Sequence, residues 1–168
     1  MERPRQAVIL AGGRGTRLQP LTFHRPKPMI RFHNRPFLEY LIEQLRGEGF
    51  ESIVLLLGYL PEVIRDHFGD GRRFGVDIQY TVTDPDALTA TRMKSAASLL
   101  EERFLLLYCD NYWPLRMDAL WDSYCAAGLP PAMITVYRND DRYSRDNVRV
   151  DADGWVTIKG RSKDMLIS

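Results

Sequence analysis

The sequence predicts an α/β fold with a mostly parallel sheet covered by helices on both faces. Three observations carry this. Apolar runs such as AVIL, SIVLLL and FLLLY are continuous rather than alternating, the pattern of strands buried on both sides. Segments with apolar residues at helical spacing stand between them. Gly- and Pro-rich turns mark the junctions.

Ala7 to Leu10 reads as a short buried strand. Phe37 to Arg46 places apolar residues at 37, 38, 41, 42 and 45, which is helical spacing, and Gly47 and Gly49 end it. Ser52 to Leu57 is a second buried strand. Pro61 suits the first turn of a helix that runs to about Phe68. GDGRRFG, 69–75, is a turn-rich loop before a third strand, Val76 to Val82. Leu88 to Glu102 reads as helix and Phe104 to Tyr108 as a fourth buried strand. Met117 to Ala127 is a helix ended by Gly128, and Ala132 to Tyr137 a fifth strand. NVRVDADGWVTI, ending at Ile158, reads as a hairpin around Asp153-Gly154.

Composition narrows the classes. At 168 residues the chain fits one domain, and folding can bury roughly 70% of its unfolded surface. A net charge of +1 argues against nucleic acid or an anionic membrane as partner. Cys109 and Cys125 form neither a metal-type spacing nor a disulfide framework, which suits reduced thiols and a cytoplasmic protein. The apolar run near the start, AVIL, is too short for a signal peptide or a membrane span. His24, His33 and His67 show no mutual spacing that assigns them a role.

The stretch LAGGRGTRLQPLTFHRPKPM, 10–29, is the informative one. It holds Gly12, Gly13 and Gly15, three prolines and four cations, and no acid. From Arg14 to Arg35 the cations are Arg14, Arg17, Arg25, Lys27, Arg31 and Arg35, again with no Asp or Glu. A dinucleotide-binding turn would open straight into a helix, which Pro20, Pro26 and Pro28 oppose. A P-loop needs a Gly-Lys-Ser/Thr ending that is absent. A surface turn with incidental arginines leaves the missing acids unexplained. A loop for a nucleoside triphosphate accounts for all three features: glycines let backbone N–H groups come close, cations meet phosphate oxygens, and prolines limit the entropy lost on binding. In parallel sheets ligands sit beyond the carboxyl ends of the strands, where both this loop and Asp110 fall.

The motif L-A-G-G-x-G-T-R-L-x-P-L-T, Leu10 to Thr22, followed by Lys27-Pro28-Met29, resembles the signature of the sugar-1-phosphate nucleotidylyltransferases. The likeness continues through RPFLEYLIEQL and GYLPEVIRDHFGDG to the Asp after FLLLY, and so covers about 7–115. It implies a three-layer α/β/α Rossmann-like nucleotidyltransferase fold with a mixed, mostly parallel sheet. It implies attack of a sugar 1-phosphate on the α-phosphorus of an NTP, giving an NDP-sugar, used for instance for a surface polysaccharide, and pyrophosphate. By the same resemblance Leu10, Ala11, Gly12, Gly13, Gly15, Thr16 and Arg17 line the nucleotide site. Arg17 and Lys27 carry the catalytic charge neutralisation, and Asp110 binds Mg²⁺. Asp110 also suits a plain turn, since Asp-Asn is good turn chemistry.

The chain departs from the pattern in two places. Leu88-Thr89-Ala90-Thr91-Arg92-Met93-Lys94 stands where many relatives have L-G-T-A-G-A, and it resembles the version found in glucose-1-phosphate cytidylyltransferases. Arg92 then either points into the nucleotide or acceptor-phosphate region or is a charge on a first helical turn. DNYWPL and TVYRND instead resemble heptose-phosphate guanylyltransferase-like domains, so base and sugar stay open. Trp113 suits a sugar-pocket wall or simple packing. Family catalytic domains run longer, and nothing around Asp164 matches a second metal motif. The expectation is therefore one nucleotidyltransferase domain over 1–168, C-terminally truncated, with 7–115 binding nucleotide and 116–168 beginning a sugar-binding part. The competing reading is a non-catalytic or incomplete NTP-binding module. An unfinished sheet edge would favour a homo-oligomer.

Overall fold

β1 (Gln6–Ala11) is the spine of the protein. All six of its residues are buried, and it pairs on both sides in parallel. On one side lies β4 (Ser52–Leu57), with Gln6 opposite Ser52 and Ala11 opposite Leu57. On the other lies β6 (Leu105–Tyr108), with Leu10 opposite Tyr108. β5 (Asp77–Val82) pairs with β4, so the order is β5-β4-β1-β6. The computed structural model describes residues 2–112, 114–136, 138, 140, 148–153 and 156–158.

The two faces of the sheet make two cores, as continuous apolar strands require. Ala7, Ile9, Ala11, Ile53, Leu55 and Leu57 share one cluster with α1 (Phe37–Gly47) and α2 (Pro61–Phe68). α1 buries Leu38, Leu41, Ile42 and Leu45, a stripe at i, i+3, i+4 and i+7. Val8, Leu10, Val54 and Leu56 point the other way, against Ala96, with Met93, Leu99, Leu100 and Phe104 packed around them. These come from α3 (Thr89–Ser95), a 3-10 turn at Ala97–Leu99 and the residues that follow. Each fully buried Val, Leu or Ile among them contributes roughly 1.5–3 kcal/mol by leaving water, so the site rests on a stiff platform.

The remaining pieces are small. β2 (Arg31–Phe32) and β3 (Arg35–Pro36) form a hairpin whose turn residues, His33 and Asn34, both have positive φ. That is the geometry that matches strand twist in a two-residue turn. α4 (Met117–Ala126) begins where the Glu48 carboxylate accepts the Met117 N–H. The chain divides into two compact units, Met1–Asp122 and Ser123–Ser168. The second contains the antiparallel pair β7 (Val148–Val150) and β8 (Val156–Ile158). Gly154 of the expected turn lies outside the described residues.

Two expectations are corrected. The helix expected over 88–102 stops at Ser95, because the Ser95 hydroxyl donates to the Arg92 carbonyl at 2.7 Å and competes with the next helical bond. The chain is then held by Gln6, whose amide donates to the Leu99 carbonyl and accepts the Glu101 N–H. The fifth strand expected at 132–137 is absent over 132–136, where Met133, Ile134 and Val136 are exposed, and Tyr137 lies outside the described residues. An apolar run becomes a strand only when a neighbour takes its N–H and C=O groups.

Candidate active site

The chain leaves β1 for β4 and β5 on one side, then returns to β6 on the other. The order therefore reverses between β1 and β6, which opens a crevice at their carboxyl ends. Residues 12–29 leave one lip of that crevice and Cys109-Asp110 leave the other. The Cys109 N–H still donates to the Leu10 carbonyl, at 3.2 Å, so Asp110 follows the last ladder bond directly.

The glycine loop is folded by its own backbone. Gly15 is left-handed at φ 63° and opens a 3-10 turn over Thr16–Leu18. Thr22 is buried, and its hydroxyl donates to the Gly15 carbonyl at 3.1 Å. The Tyr59 N–H donates to the Gly12 carbonyl at 3.0 Å, and its hydroxyl lies 3.1 and 3.0 Å from the carbonyls of Thr22 and Phe23. A second 3-10 turn, Lys27–Met29, follows Pro26 and drives Pro28 and Met29 into the core. That leaves Lys27 half-buried, with its Nζ 2.6 Å from Asp110 Oδ2. Proline spacing thus gives two short turns, not a helix, and delivers a lysine to the crevice.

Not all of the acid-free cations stay unpaired. Arg14 forks onto Asp86 at 3.0–3.3 Å and lies over the Tyr59 ring. The hydrogen bond and charge of Asp86 hold the Arg14 pKa above its ordinary value, and Arg14 lowers that of Asp86. Arg35 pairs with Glu39 and Glu43. Arg17, Arg25 and Arg31 are exposed, and no carboxylate pairs with them among the described residues. Cys109 is a neutral spacer, since burial pushes its thiol up to about 12. Leu10 and Ala11 belong to the core by their side chains, so only their backbone can serve the crevice.

Arg92 packs against the glycine loop at Gly12. It is 5% exposed. Nη1 donates to the Leu57 carbonyl at 3.0 Å and to Thr83 Oγ1 at 2.8 Å. Nη2 donates to the carbonyls of Asp84 and Pro85 at 3.0 and 2.9 Å. Burial lowers its pKa from the ordinary value, and the charges of Asp84 and Asp86 counter that in part. Trp113 and Asp164 lie outside the described residues, and among those described no three His, Cys, Asp or Glu gather as a ready cage for a metal. Sequence reasoning missed Asp86, Tyr59 and Gly58. The signal for the last was present, since Gly58 ends the run LLLG as Gly12 ends ILAG.

A family profile described as Nucleotidyl transferase matches residues 6–126. The chain belongs to this family. A UTP–glucose-1-phosphate uridylyltransferase of Synechocystis is 40% identical over 122 residues, 70% of this chain and 31% of that protein. A D-glycero-alpha-D-manno-heptose 1-phosphate guanylyltransferase of Campylobacter jejuni is 31% identical, over 68% of this chain and 52% of its own. Among solved structures, HddC from Yersinia pseudotuberculosis complexed with GMP-PN superposes with a TM-score of 0.63 at 30% identity, over 71% of this chain and 53% of that one. This nucleotidyl transferase chain therefore spans about a third to a half of the relatives it matches. Its sheet and helices have the nucleotidyltransferase fold that the resemblance implied, and no described helix is long and apolar enough to cross a membrane.

Proposed function

We propose that this chain is the nucleotide-binding part of an enzyme that transfers a nucleotidyl group from an NTP to a sugar 1-phosphate, giving an NDP-sugar and pyrophosphate. The observation that carries the reading is the Lys27–Asp110 pair at the β1/β6 reversal, beside a glycine loop fixed by its own hydrogen bonds. Two anions must meet for this reaction, so the work falls to positioning and charge neutralisation. Gly13 supports it sterically, because a side chain there would meet nothing within 4 Å, and open space over bare backbone is what an incoming nucleotide needs. In this reading Gly15 and Thr16 shape the loop and Arg17, without a carboxylate partner among the described residues, holds phosphate oxygens. Lys27 turns from Asp110 to the charge that develops at the α-phosphate.

Asp110 fits Mg²⁺ as a single carboxylate, since that ion is often held by one or two carboxylates together with substrate phosphates and water. Bound there, Mg²⁺ would supply neutralisation of phosphate charge. Residues 7–115 would serve the nucleotide and 116–168 would begin the sugar part. The names of the relatives divide between uridylyl and guanylyl transfer, so the base is for measurement.

The test is equilibrium binding of ATP, GTP, CTP, UTP and dTTP with and without Mg²⁺, for the chain, Arg17→Ala and Asp110→Asn. One nucleotide is expected to bind best, with Arg17→Ala weaker by about tenfold or more, as loss of a charge-assisted fork implies. Asp110→Asn is expected to remove most of the Mg²⁺ dependence. Binding of none of the five overturns the reading.

A further inference from the structure

We propose that Arg92 is a positioning residue of the nucleotide site. Its buried guanidinium holds the carboxyl ends of β1 and β4 and the 83–85 segment in the arrangement a nucleotide meets, without touching the nucleotide. The inference rests on the nucleotide reading above and deepens it.

The first observation is connectivity. Four oxygens on two separate segments accept from one side chain: the last carbonyl of β4, and then Thr83, Asp84 and Pro85 just past β5. Among the described residues no carboxylate bonds it directly, so it is a positive charge held by neutral oxygens. To reach a substrate, Arg92 would have to give up four hydrogen bonds at once; the Leu57 and Asp84 carbonyls would keep the N–H groups of Thr83 and Ala87, but the half-buried Pro85 carbonyl would lose the donor it has here.

The second observation is steric and independent of the first. A Cβ added to Gly12 would stand 1.9 Å from Arg92 Nη1 and 2.4 Å from its Cζ. One added to Gly58 would stand 2.8 Å from Nη1, 2.5 Å from the Gly12 carbonyl oxygen and 3.1 Å from Pro85 Cα. Gly12 and Gly58 end adjacent parallel strands, and neither has the left-handed φ that would by itself demand glycine. A side chain at Gly12 would overlap the guanidinium, whereas one at Gly13 would face open space. Arg92 therefore sets the height of the backbone that the nucleotide approaches. Its fork does this, since an ammonium cannot reach both sides at once.

The test is a mutant cycle on nucleotide affinity with Gly12→Ala, Arg92→Met and the double variant. The ligand is whichever of the five nucleotides the wild-type chain binds best, with Mg²⁺, at a temperature where near-UV circular dichroism shows every variant folded. Each single variant is expected to weaken binding by about tenfold or more, the scale of a displaced positioning group. In the Arg92→Met background Gly12→Ala is expected to cost less than about threefold, because contacting sites are coupled. A role confined to global stability would not couple the two sites in affinity. Arg92→Lys, which keeps the charge and is the variant to use should Arg92→Met fail to fold, is expected to bind as weakly as Arg92→Met, or about tenfold below wild type. Wild-type affinity in Arg92→Met or Arg92→Lys, or single effects that multiply in the double variant, would overturn the proposal. A wild-type chain that binds no nucleotide is a different result: it removes the functional reading and this role with it.

Discussion

β4 and β6 are near twins in sequence and opposites in setting. SIVLLL of β4 is flanked by strands on both sides and covered on both faces, and Ile53 to Leu57 are at most 1% exposed. LLLY of β6 pairs only with β1 among the described residues, and Leu106 and Tyr108 are 41% and 58% exposed. Burial is thus conferred by neighbours, not by composition. Setting has a functional side too, because Asp110 follows the less covered β6 while the glycine loop follows β1, all six of whose residues are buried.

The largest expected effect tests the covered side. Leu55→Ala should cost about 3–5 kcal/mol, since Leu55 is fully buried and the platform cannot collapse around the hole. Urea denaturation would read it, and a loss below about 1 kcal/mol would erase the contrast. An intermediate effect sharpens it with charge. On α1, Glu39 lies 2.8 Å from Arg35 and 2.6 Å from His67. Burial pushes its carboxyl pKa up, but the hydrogen bonds from Arg35 and His67 outweigh this and the net value falls below the ordinary 4.5. A depressed carboxylate stabilises the fold above its unfolded pKa, and that contribution is lost as pH falls through the folded value. Glu39→Gln should therefore cost about 1–2 kcal/mol at neutral pH and flatten the loss of stability below about pH 4.5. Denaturation midpoints from pH 7 down to 2 would show parallel curves were the pairing idle. The smallest effect belongs to β6: Leu106→Thr should change stability by no more than about 0.5 kcal/mol. A larger loss in the same denaturation series would mean that something covers that face in solution.

Much of this was legible in the sequence because local rules and the fold agree there. Three of the four parallel strands follow from continuous apolar runs, and α1 from its stripe. Lys27 and Asp110, 83 residues apart, could be placed at one crevice because both follow strands of a parallel sheet. What failed did so for want of distant information. The acid-free run around Arg14 looks unpaired until Asp86 arrives from 72 residues away. Arg92 reads as a helix charge because no periodicity reveals that the carbonyls of 84 and 85 turn inward. The run at 132–137 has the composition of a strand, and composition says nothing about a partner.

The pairing of Lys27 with Asp110 has a consequence for the timing of encounter. On the proposed function, an approaching triphosphate would feel Arg17, Arg25 and Arg31 from afar, since fields of exposed charges reach about 8 Å at physiological salt. Lys27 is silent at that range because its charge is cancelled by a neighbour 2.6 Å away. It becomes a cation to the ligand only on arrival, when phosphate oxygens or a metal compete for the two partners. Added salt should then slow capture through the outer arginines more than it alters the exchange at the pair, so that attraction and chemistry in this cleft answer to different charges.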